Sequence, residues 1–253
     1  MSLLPKNELR VAMGSRHCEA SLWRAGFLPR RLAHAQGAGS DAAALSTVLA
    51  GLATEGHALP RSATLCLDDD LVHYALLPAD GPWSTVQARA TQHFAEVLGD
   101  DSLLVARRLL PGARRWLAVA TDARQVSAWS QVLADQRCTL RSVGVALLED
   151  LWRNRHQLAL RNGVVACLRD HGLALAGWRD GQLQDLAWER CDMQQPLLWT
   201  QRIQAFVARL ALTGASSPGD GVMLLAAPTA LAEARQAIEP FADWQLISAQ
   251  AAE

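Results

Sequence analysis

Two kinds of hydrophobic pattern alternate along the chain. Short apolar or alternating segments are typical of β-strands, and longer segments with apolar residues every three or four positions are typical of helices. The first third has strand patterns at 9–14, 18–23 and 28–33, a helix pattern at 41–53 and a strand pattern at 64–67. The last third has the same order at 164–168, 173–178, 183–188, 196–212 and 222–227. This repetition predicts two similar α/β units.

The middle of the chain predicts a smaller unit and the connection between the two larger ones. Its patterns indicate strands at 71–78, 103–110, 116–120 and 138–145 and helices at 83–98, 123–136 and 146–157. A helix pattern at 229–238 and a strand pattern at 244–247 follow the second repeat. We expect a first lobe over residues 1–158 with an α+β insertion at about 71–110, and a second lobe over residues 159–253.

Turn and capping residues agree with these elements. Asp41 or Ser40 can cap the first helix, and Asp122 can cap the helix that begins after it, because their side-chain oxygens accept hydrogen bonds from free amides of the first turn. Asp180-Gly181 separates two strand patterns and is typical of a tight hairpin turn.

Composition and charge exclude several classes of protein. The 253 residues are 50% hydrophobic and 19% charged, which excludes an intrinsically disordered chain. A formal net charge of −1 gives no long-range attraction to nucleic acid or anionic lipid. No run approaches the roughly 18 to 20 apolar residues of a membrane span, and the N-terminus lacks the apolar core of a secretory signal. Five scattered cysteines without a Cys-x-x-Cys pair fit a reducing cytosol.

Three segments resemble a known family. They are the strand pattern that ends in Leu77-Pro78, the helix pattern from Val86 to Ala95, and the segment from Trp116 to Arg124. With two lobes that each open on a hairpin, they resemble the actin-like ATPase superfamily, and within it PilM of type IV pilus assembly and the cytoplasmic domain of GspL from type II secretion. The resemblance covers most of the chain and implies a two-lobed actin-like (ribonuclease H-like) α/β fold.

The resemblance also indicates where a nucleotide would bind. Active relatives carry an Asp-x-Gly loop in the first hairpin, a second Asp-containing hairpin loop, and a Gly-Gly pair beside the adenosine. Here the first loop keeps Gly14 and Ser15 without a carboxylate, the second keeps Asp170 and Gly172, and the segment 225–229 has no glycine pair. We interpret Asp170 as a turn residue, since hairpins favour Asp and Gly. We expect no catalytic residues and no cofactor; the alternative is ATP with magnesium.

Other candidate chemistry is sparse. The seven histidines show no metal-binding spacing, so no metal site is expected. His17 and Cys18 are adjacent on a strand pattern and therefore point to opposite faces, which argues against a nucleophile–base pair. The run Asp68-Asp69-Asp70 follows a strand pattern. We interpret it as a solvated turn, with a divalent cation site as the alternative.

Nine tryptophans leave aromatic surface for a partner. Tryptophan and arginine are among the residues that contribute most to protein interfaces. They combine in two clusters, Trp23-Arg24 with Arg30-Arg31 nearby, and Trp152-Arg153-Asn-Arg155. The candidates for partner binding are therefore Trp23, Arg24, Trp152, Arg153 and Arg155. The alternative is an ordinary amphipathic surface.

The resemblance implies a role in assembly rather than catalysis. We expect a non-catalytic scaffold of a type IV pilus or type II secretion platform, cytoplasmic and held at the inner membrane by a bitopic partner that is PilN-like or GspL/GspM-like. It also allows a hexameric motor ATPase or a second copy of the chain as a partner. In PilM-like proteins the partner's N-terminal segment docks in a groove of the first lobe. The alternatives are an active actin-like ATPase or small-molecule kinase, and an unrelated α/β protein.

Overall fold

The computed structural model describes residues 7–24, 29–54, 56–78, 80–99, 102–108, 115–157, 162–212 and 221–249. Its strands are β1 (Asn7–Met13), β2 (His17–Arg24), β3 (Arg30–Ala38), β4 (Ser62–Leu67), β5 (His73–Pro78), β6 (Ser102–Arg108), β7 (Arg115–Asp122), β8 (Thr139–Val145), β9 (Gly163–Arg169), β10 (Gly172–Arg179), β11 (Gln182–Arg190), β12 (Val222–Ala226) and β13 (Trp244–Ser248). Its helices are α1 (Ala42–Thr54), α2 (Trp83–Leu98), α3 (Ala123–Asp135), α4 (Ala146–Arg153), α5 (Pro196–Leu212) and α6 (Leu231–Ile238). Short 3₁₀ turns lie at Asp69–Leu71 and Pro228–Ala230.

The order of the strands confirms the predicted duplication. The first five-stranded sheet has the order β3-β2-β1-β4-β8, and the second has the order β11-β10-β9-β12-β13. In each sheet three antiparallel strands are followed by two parallel strands. Along β1 the residues Leu9, Val11 and Met13 are buried and alternate with partly exposed residues, so one face of the sheet lies in the core. The fold is therefore a two-lobed α/β duplication.

A three-stranded sheet forms the smaller unit. Its antiparallel order is β5-β7-β6, and α2 packs on it through Ala90 and Phe94. Because β7 is the central strand, the sheet extends past residue 110, where we expected the insertion to end. An apolar run such as 116–120 does not indicate which sheet it joins, since buried strands share one pattern. The predicted boundary between 158 and 159 lies outside the described residues and stays a prediction.

Helices cover one face of each large sheet. α1 and α3 pack on the first sheet, where Leu45 and Trp129 are fully buried, and α5 packs on the second through Phe206. The other face of the second sheet is covered by elements of the first lobe, because Leu147 of α4 and Tyr74 of β5 belong to the apolar cluster there. The corresponding face of the first sheet carries a groove, and the described residues that line it all belong to the first lobe.

The predicted caps and the hairpin turn are observed. Asp41 accepts a hydrogen bond from the amide of Ala44 at 2.8 Å, and Asp122 caps α3 in the same manner. Asp180 and Gly181 both have positive φ angles, 51° and 71°, which is the combination of a type I′ hairpin turn. Local side-chain chemistry therefore sets these boundaries as the sequence indicated.

The structure also bears on possible membrane-spanning helices and on the state of the cysteines. Within the described residues no helix is both long and apolar enough to cross a bilayer. The five cysteines are free, and Cys18, Cys138 and Cys167 are buried. Burial raises the pKa of the Cys18 thiol to about 12, so this side chain behaves as a small apolar group.

Candidate functional site

The first candidate site is the loop between β1 and β2, where the resemblance places a nucleotide's phosphates. The amide and hydroxyl of Ser15 both donate hydrogen bonds to the Asp70 carboxylate, the amide at 3.3 Å. Nε2 of His17 lies 3.3 Å from Oδ2 of Asp68. A Cβ on Gly14 would lie 2.4 Å from the His17 ring, so the glycine makes room for this pair. The amide and hydroxyl of Ser15 are therefore directed to a carboxylate of the chain itself, and the Gly14 amide donates to the carbonyl of His17 at 3.0 Å.

Asp69 is a buried charge between the lobes. Its side chain is fully buried and accepts hydrogen bonds from the Leu147 amide at 3.1 Å, from the Tyr74 hydroxyl, and from Nε of Arg169 at 2.7 Å. These donors compensate for the loss of water around the carboxylate. The interpretation of 68–70 as a solvated turn is therefore wrong for Asp69. No group of three His, Cys, Asp or Glu side chains in the described part of the chain is arranged to hold a metal.

Arg169 joins the two lobes. It ends β9 of the second lobe, and while Nε binds Asp69, Nη1 donates to the carboxylate of Asp150 on α4. Charge-assisted hydrogen bonds of this type are roughly twice as strong as neutral ones. We call this group the Asp69–Arg169–Asp150 cluster. It ties the end of β9 to the segment after β4 and to the helix that follows β8.

Burial dominates the electrostatics of this region. It raises the pKa of Asp68 to about 6, against the opposing effect of His17. It also raises the pKa of Tyr74 well above its usual value, and the charge of Asp69 adds to that effect. Burial alone would lower the pKa of Arg169, but Asp69 and its neighbours raise it well above the usual range. The interior is thus rich in carboxylates, which disfavours an added anion such as phosphate.

The second hairpin loop is a tight turn, as predicted. Asp170 and His171 form the turn between β9 and β10, and the amide of Cys191 donates to the carbonyl of His171 at 3.3 Å. A cavity of about 600 Å³ lies beside the turn, between α5, α6 and the segment after β12. Asp170 and Glu233 both line it, and its lining cation Arg169 is already bound to two carboxylates. Nε and Nη1 of Arg169 make these contacts, while its buried Nη2 has no hydrogen-bond partner among the described residues.

The glycine of this loop is explained by packing. A Cβ on Gly172 would lie 2.3 Å from the carbonyl oxygen of Glu189 and 2.9 Å from the Trp188 ring. Because that oxygen belongs to the backbone of the paired strand β11, it cannot move away freely.

We expect Gly172→Ala to lower the free energy of unfolding by about 2 kcal/mol, measured by urea denaturation. Gly51→Ala is the control: a Cβ there lies 3.6 Å from Ala35, and the helix should gain up to about 1 kcal/mol. An unchanged stability of Gly172→Ala would contradict the packing explanation.

Trp23, a candidate for partner binding, does not project from the surface. It is 6% exposed, its Nε1 donates to the Ser21 hydroxyl at 2.8 Å, and the Arg10 guanidinium lies 4.9 Å from the ring centre. A β-bulge between Leu22 and Trp23 leaves both side chains buried. Arg24, which follows, is exposed. The indole is therefore held rigidly in the sheet surface.

Trp152 is the exposed tryptophan of the second cluster. It is 65% exposed near the end of α4, and the Arg155 guanidinium lies 4.2 Å from the ring centre. Arg153 forms an ion pair with Glu149 one turn earlier on the same helix. An exposed indole that is covered by a cation has the chemistry of an interface contact.

One groove is lined by residues from both clusters. It has a volume of about 710 Å³, crosses the face of β1, β2, β3 and β4, and has α4 as its wall. Trp23 lies in its lining, and its charged lining residues are Arg10, Glu19, Arg30, Arg31, Glu149 and Arg153. We call it the first-lobe groove. Trp152 lies on α4 and Arg155 follows it, and neither residue lines the groove.

The Asp69–Arg169–Asp150 cluster was not predicted from the sequence. Asp150 occupies the stripe of α4 that also contains Leu147, which is fully buried. A carboxylate on the buried stripe of a helix is a signal that could have identified it. Asp69 has no such signal, because acidic residues after a strand are usually exposed turn residues.

The two lobes together have an actin-like fold. Two lobes share one strand order, each opens on a hairpin, and the hairpin loops lie on either side of the Asp69–Arg169–Asp150 cluster. A Bacteroides thetaiotaomicron protein with an actin-like ATPase fold has a similar structure, with a TM-score of 0.60, 10% identity, and coverage of 96% of this chain and 91% of that one.

Two other similar structures come from assembly machines. The PilM-PilN type IV pilus biogenesis complex gives a TM-score of 0.70 at 12% identity, over 95% of this chain and 88% of that chain. The cytoplasmic domain of EpsL, an inner membrane component of the type II secretion system of Vibrio cholerae, gives 0.53 at 13% identity, over 98% and 88%. The resemblance found in the sequence is thus confirmed in the fold. No family model and no curated protein matches this chain.

Proposed function

We propose that the chain is a non-catalytic scaffold of a type IV pilus or type II secretion assembly platform. In this role it lies on the cytoplasmic side of the inner membrane and binds the cytoplasmic tail of a membrane-anchored partner. Two structures of similar fold support the proposal, since one is a PilM-PilN complex of pilus biogenesis and the other belongs to a type II secretion system. Nothing among the described residues favours a hexameric ATPase or a second copy as partner, so the proposal is limited to the tail.

The observation that carries the non-catalytic role is the occupation of the first hairpin loop by Asp70. A bound triphosphate needs free backbone amides, and its magnesium needs carboxylates placed beside the phosphates. The Ser15 amide donates to Asp70 instead, and Asp69 is bound by Arg169. These residues do not fit a magnesium-bound nucleotide in this loop.

An ATPase or small-molecule kinase is the second candidate function. The cavity of about 600 Å³ beside Asp170 favours it, because the resemblance places a nucleotide between the second hairpin loop and the segment after β12. Pro228 and Thr229 of that segment precede α6, where active relatives would carry a glycine pair.

Thermal unfolding distinguishes these candidates. A ligand that binds the folded state raises the melting temperature. A synthetic peptide with the sequence of the cytoplasmic tail of the bitopic membrane protein encoded by a neighbouring gene should raise it by about 5 °C at saturation. ATP with magnesium should leave it unchanged. A rise with ATP that is lost in Asp170→Ala would contradict the scaffold and support the enzyme. Absence of any shift or measurable binding with the tail peptide would also count against the scaffold.

A further inference from the structure

The first-lobe groove lies on a sheet face whose equivalent in the second lobe is covered. In the second lobe the corresponding sheet face is covered by Leu147, Tyr74 and Leu76 from the first lobe. In the first lobe this face carries the groove, with the α4 residues Glu149 and Arg153 at its side. Residues that are 130 positions apart in sequence, Trp23 and Arg153, line the same concave space.

The groove carries an excess of positive charge. Two of its arginines are paired: Arg10 lies 3.2 Å from Glu8, and Arg153 pairs with Glu149. The other carboxylate among its described lining residues, Glu19, lies 3.6 Å from the His34 ring. Arg30 and Arg31 are exposed at the start of β3 and form no ion pair with any described residue. Two uncompensated guanidinium groups at the rim of a concave surface attract carboxylates.

The groove also offers apolar contact at fixed positions. Trp23 is held by its hydrogen bond to Ser21 and by the stacked Arg10, so binding an apolar side chain against it requires little further ordering. Trp152, which precedes Arg153 on α4, is 65% exposed and is not among the residues that line the groove.

We infer that the first-lobe groove binds an acidic peptide segment in an extended conformation. Its carboxylates pair with Arg30 and Arg31, and an apolar side chain packs against Trp23. The groove crosses four neighbouring strands, which is about 14 Å at the usual strand spacing, the length of about four extended residues. This inference rests on the proposed function and deepens it, since it names the chemistry of the partner's segment.

A peptide fits these observations better than a lipid surface. The groove is concave and Trp23 is 6% exposed, so the indole cannot insert into a bilayer, whereas interfacial tryptophans of membrane-bound proteins reach the headgroup region. A membrane is nearly flat on this scale and would contact the rim alone. Arg30 and Arg31 would then bind headgroups without any role for Trp23.

The test compares two fluorescein-labelled peptides of equal length, one alternating Glu with Leu and one alternating Lys with Leu. We expect fluorescence anisotropy to show about tenfold tighter binding of the acidic peptide, weakening as salt rises. The variant Arg30→Glu/Arg31→Glu should lose this preference and favour the lysine peptide. The control Arg190→Glu/Arg235→Glu, which changes two exposed arginines of the second lobe by the same charge, should keep it.

Each remaining outcome decides the inference separately from the proposed function. If Arg30→Glu/Arg31→Glu binds the acidic peptide as well as the unchanged chain does, the groove inference is overturned. The same holds if both peptides bind equally, or if the double variant affects only binding to phosphatidylcholine–phosphatidylglycerol vesicles. If the tail of this membrane protein binds the unchanged chain and Arg30→Glu/Arg31→Glu equally, the scaffold proposal stands and the groove inference fails. If that tail binds neither form, the scaffold fails, and the peptide preference still decides the chemistry of the groove.

Discussion

Replacing Arg169 with methionine is expected to lower the free energy of unfolding by about 3 to 5 kcal/mol. Asp69 and Asp150 are both buried, and both accept hydrogen bonds from this guanidinium. Removing the cation leaves two carboxylates in the interior without their main partner, which is the costly way to break a buried ion pair. Urea denaturation followed by far-UV circular dichroism measures the change.

Two further variants make the result specific to the cluster. Arg179→Met removes an exposed arginine from the end of β10, and should change stability by less than about 0.5 kcal/mol. Combining Arg169→Met with Asp69→Asn and Asp150→Asn should recover part of the loss, because neutral side chains leave no unpaired charge and the three sites are coupled. A loss below about 1 kcal/mol for Arg169→Met would mean that this cluster does not hold the lobes together.

A second large effect is expected in the pH dependence of stability. Burial raises the pKa of Asp68 to about 6, whereas an aspartate in an unfolded chain titrates near about 3.9. Between these values the folded protein keeps a proton that the unfolded chain releases. The unfolded state then binds fewer protons, so stability falls as the pH rises from about 4 to about 6. At neutral pH the loss from Asp68 reaches about 3 kcal/mol.

The variant Asp68→Asn isolates this contribution. Asparagine has nearly the same shape and does not ionise, so titrating groups that do not interact with Asp68 cancel when the two forms are compared, whereas His17, 3.3 Å away, does not. We expect equal stabilities near about pH 4 and an increasing advantage of the variant up to about pH 7. The measurement is urea denaturation of both forms at a series of pH values. A difference that stays constant with pH would show that Asp68 titrates normally.

The secondary structure could be predicted because its causes are local. Alternating buried positions such as Leu9 and Val11 mark a half-buried strand wherever they occur, and Asp180-Gly181 adopts the positive φ angles that its hairpin requires. The duplication followed because the same local patterns occur twice in one order. The assignment of β7 to the small sheet did not follow, because its apolar run fits a buried strand in either sheet.

For the candidate sites, too, the local motifs could be predicted from the sequence, and the contacts between distant residues could not. The loops that contain Gly14 and Asp170 were identified from local motifs, and both lie in hairpins. The sequence did not show that Asp70 binds Ser15 in the first loop, because the two residues are 55 positions apart. The two tryptophan–arginine clusters were visible as separate segments, and the sequence did not show that Trp23 and Arg153 line one groove.

The sequence by itself determined the order of strands and helices, the caps and the hairpin turn, because these depend on residues within a few positions of each other. It also determined that the loop at Gly14 and Ser15 has no carboxylate and that the segment 225–229 has no glycine pair. Only the tertiary structure decided that Asp69 is buried, that Arg169 binds it across the lobes, and that one sheet face remains open as a groove. Charge pairing and burial depend on distances through space, and an acidic turn has the same sequence whether water or an arginine from another lobe surrounds it.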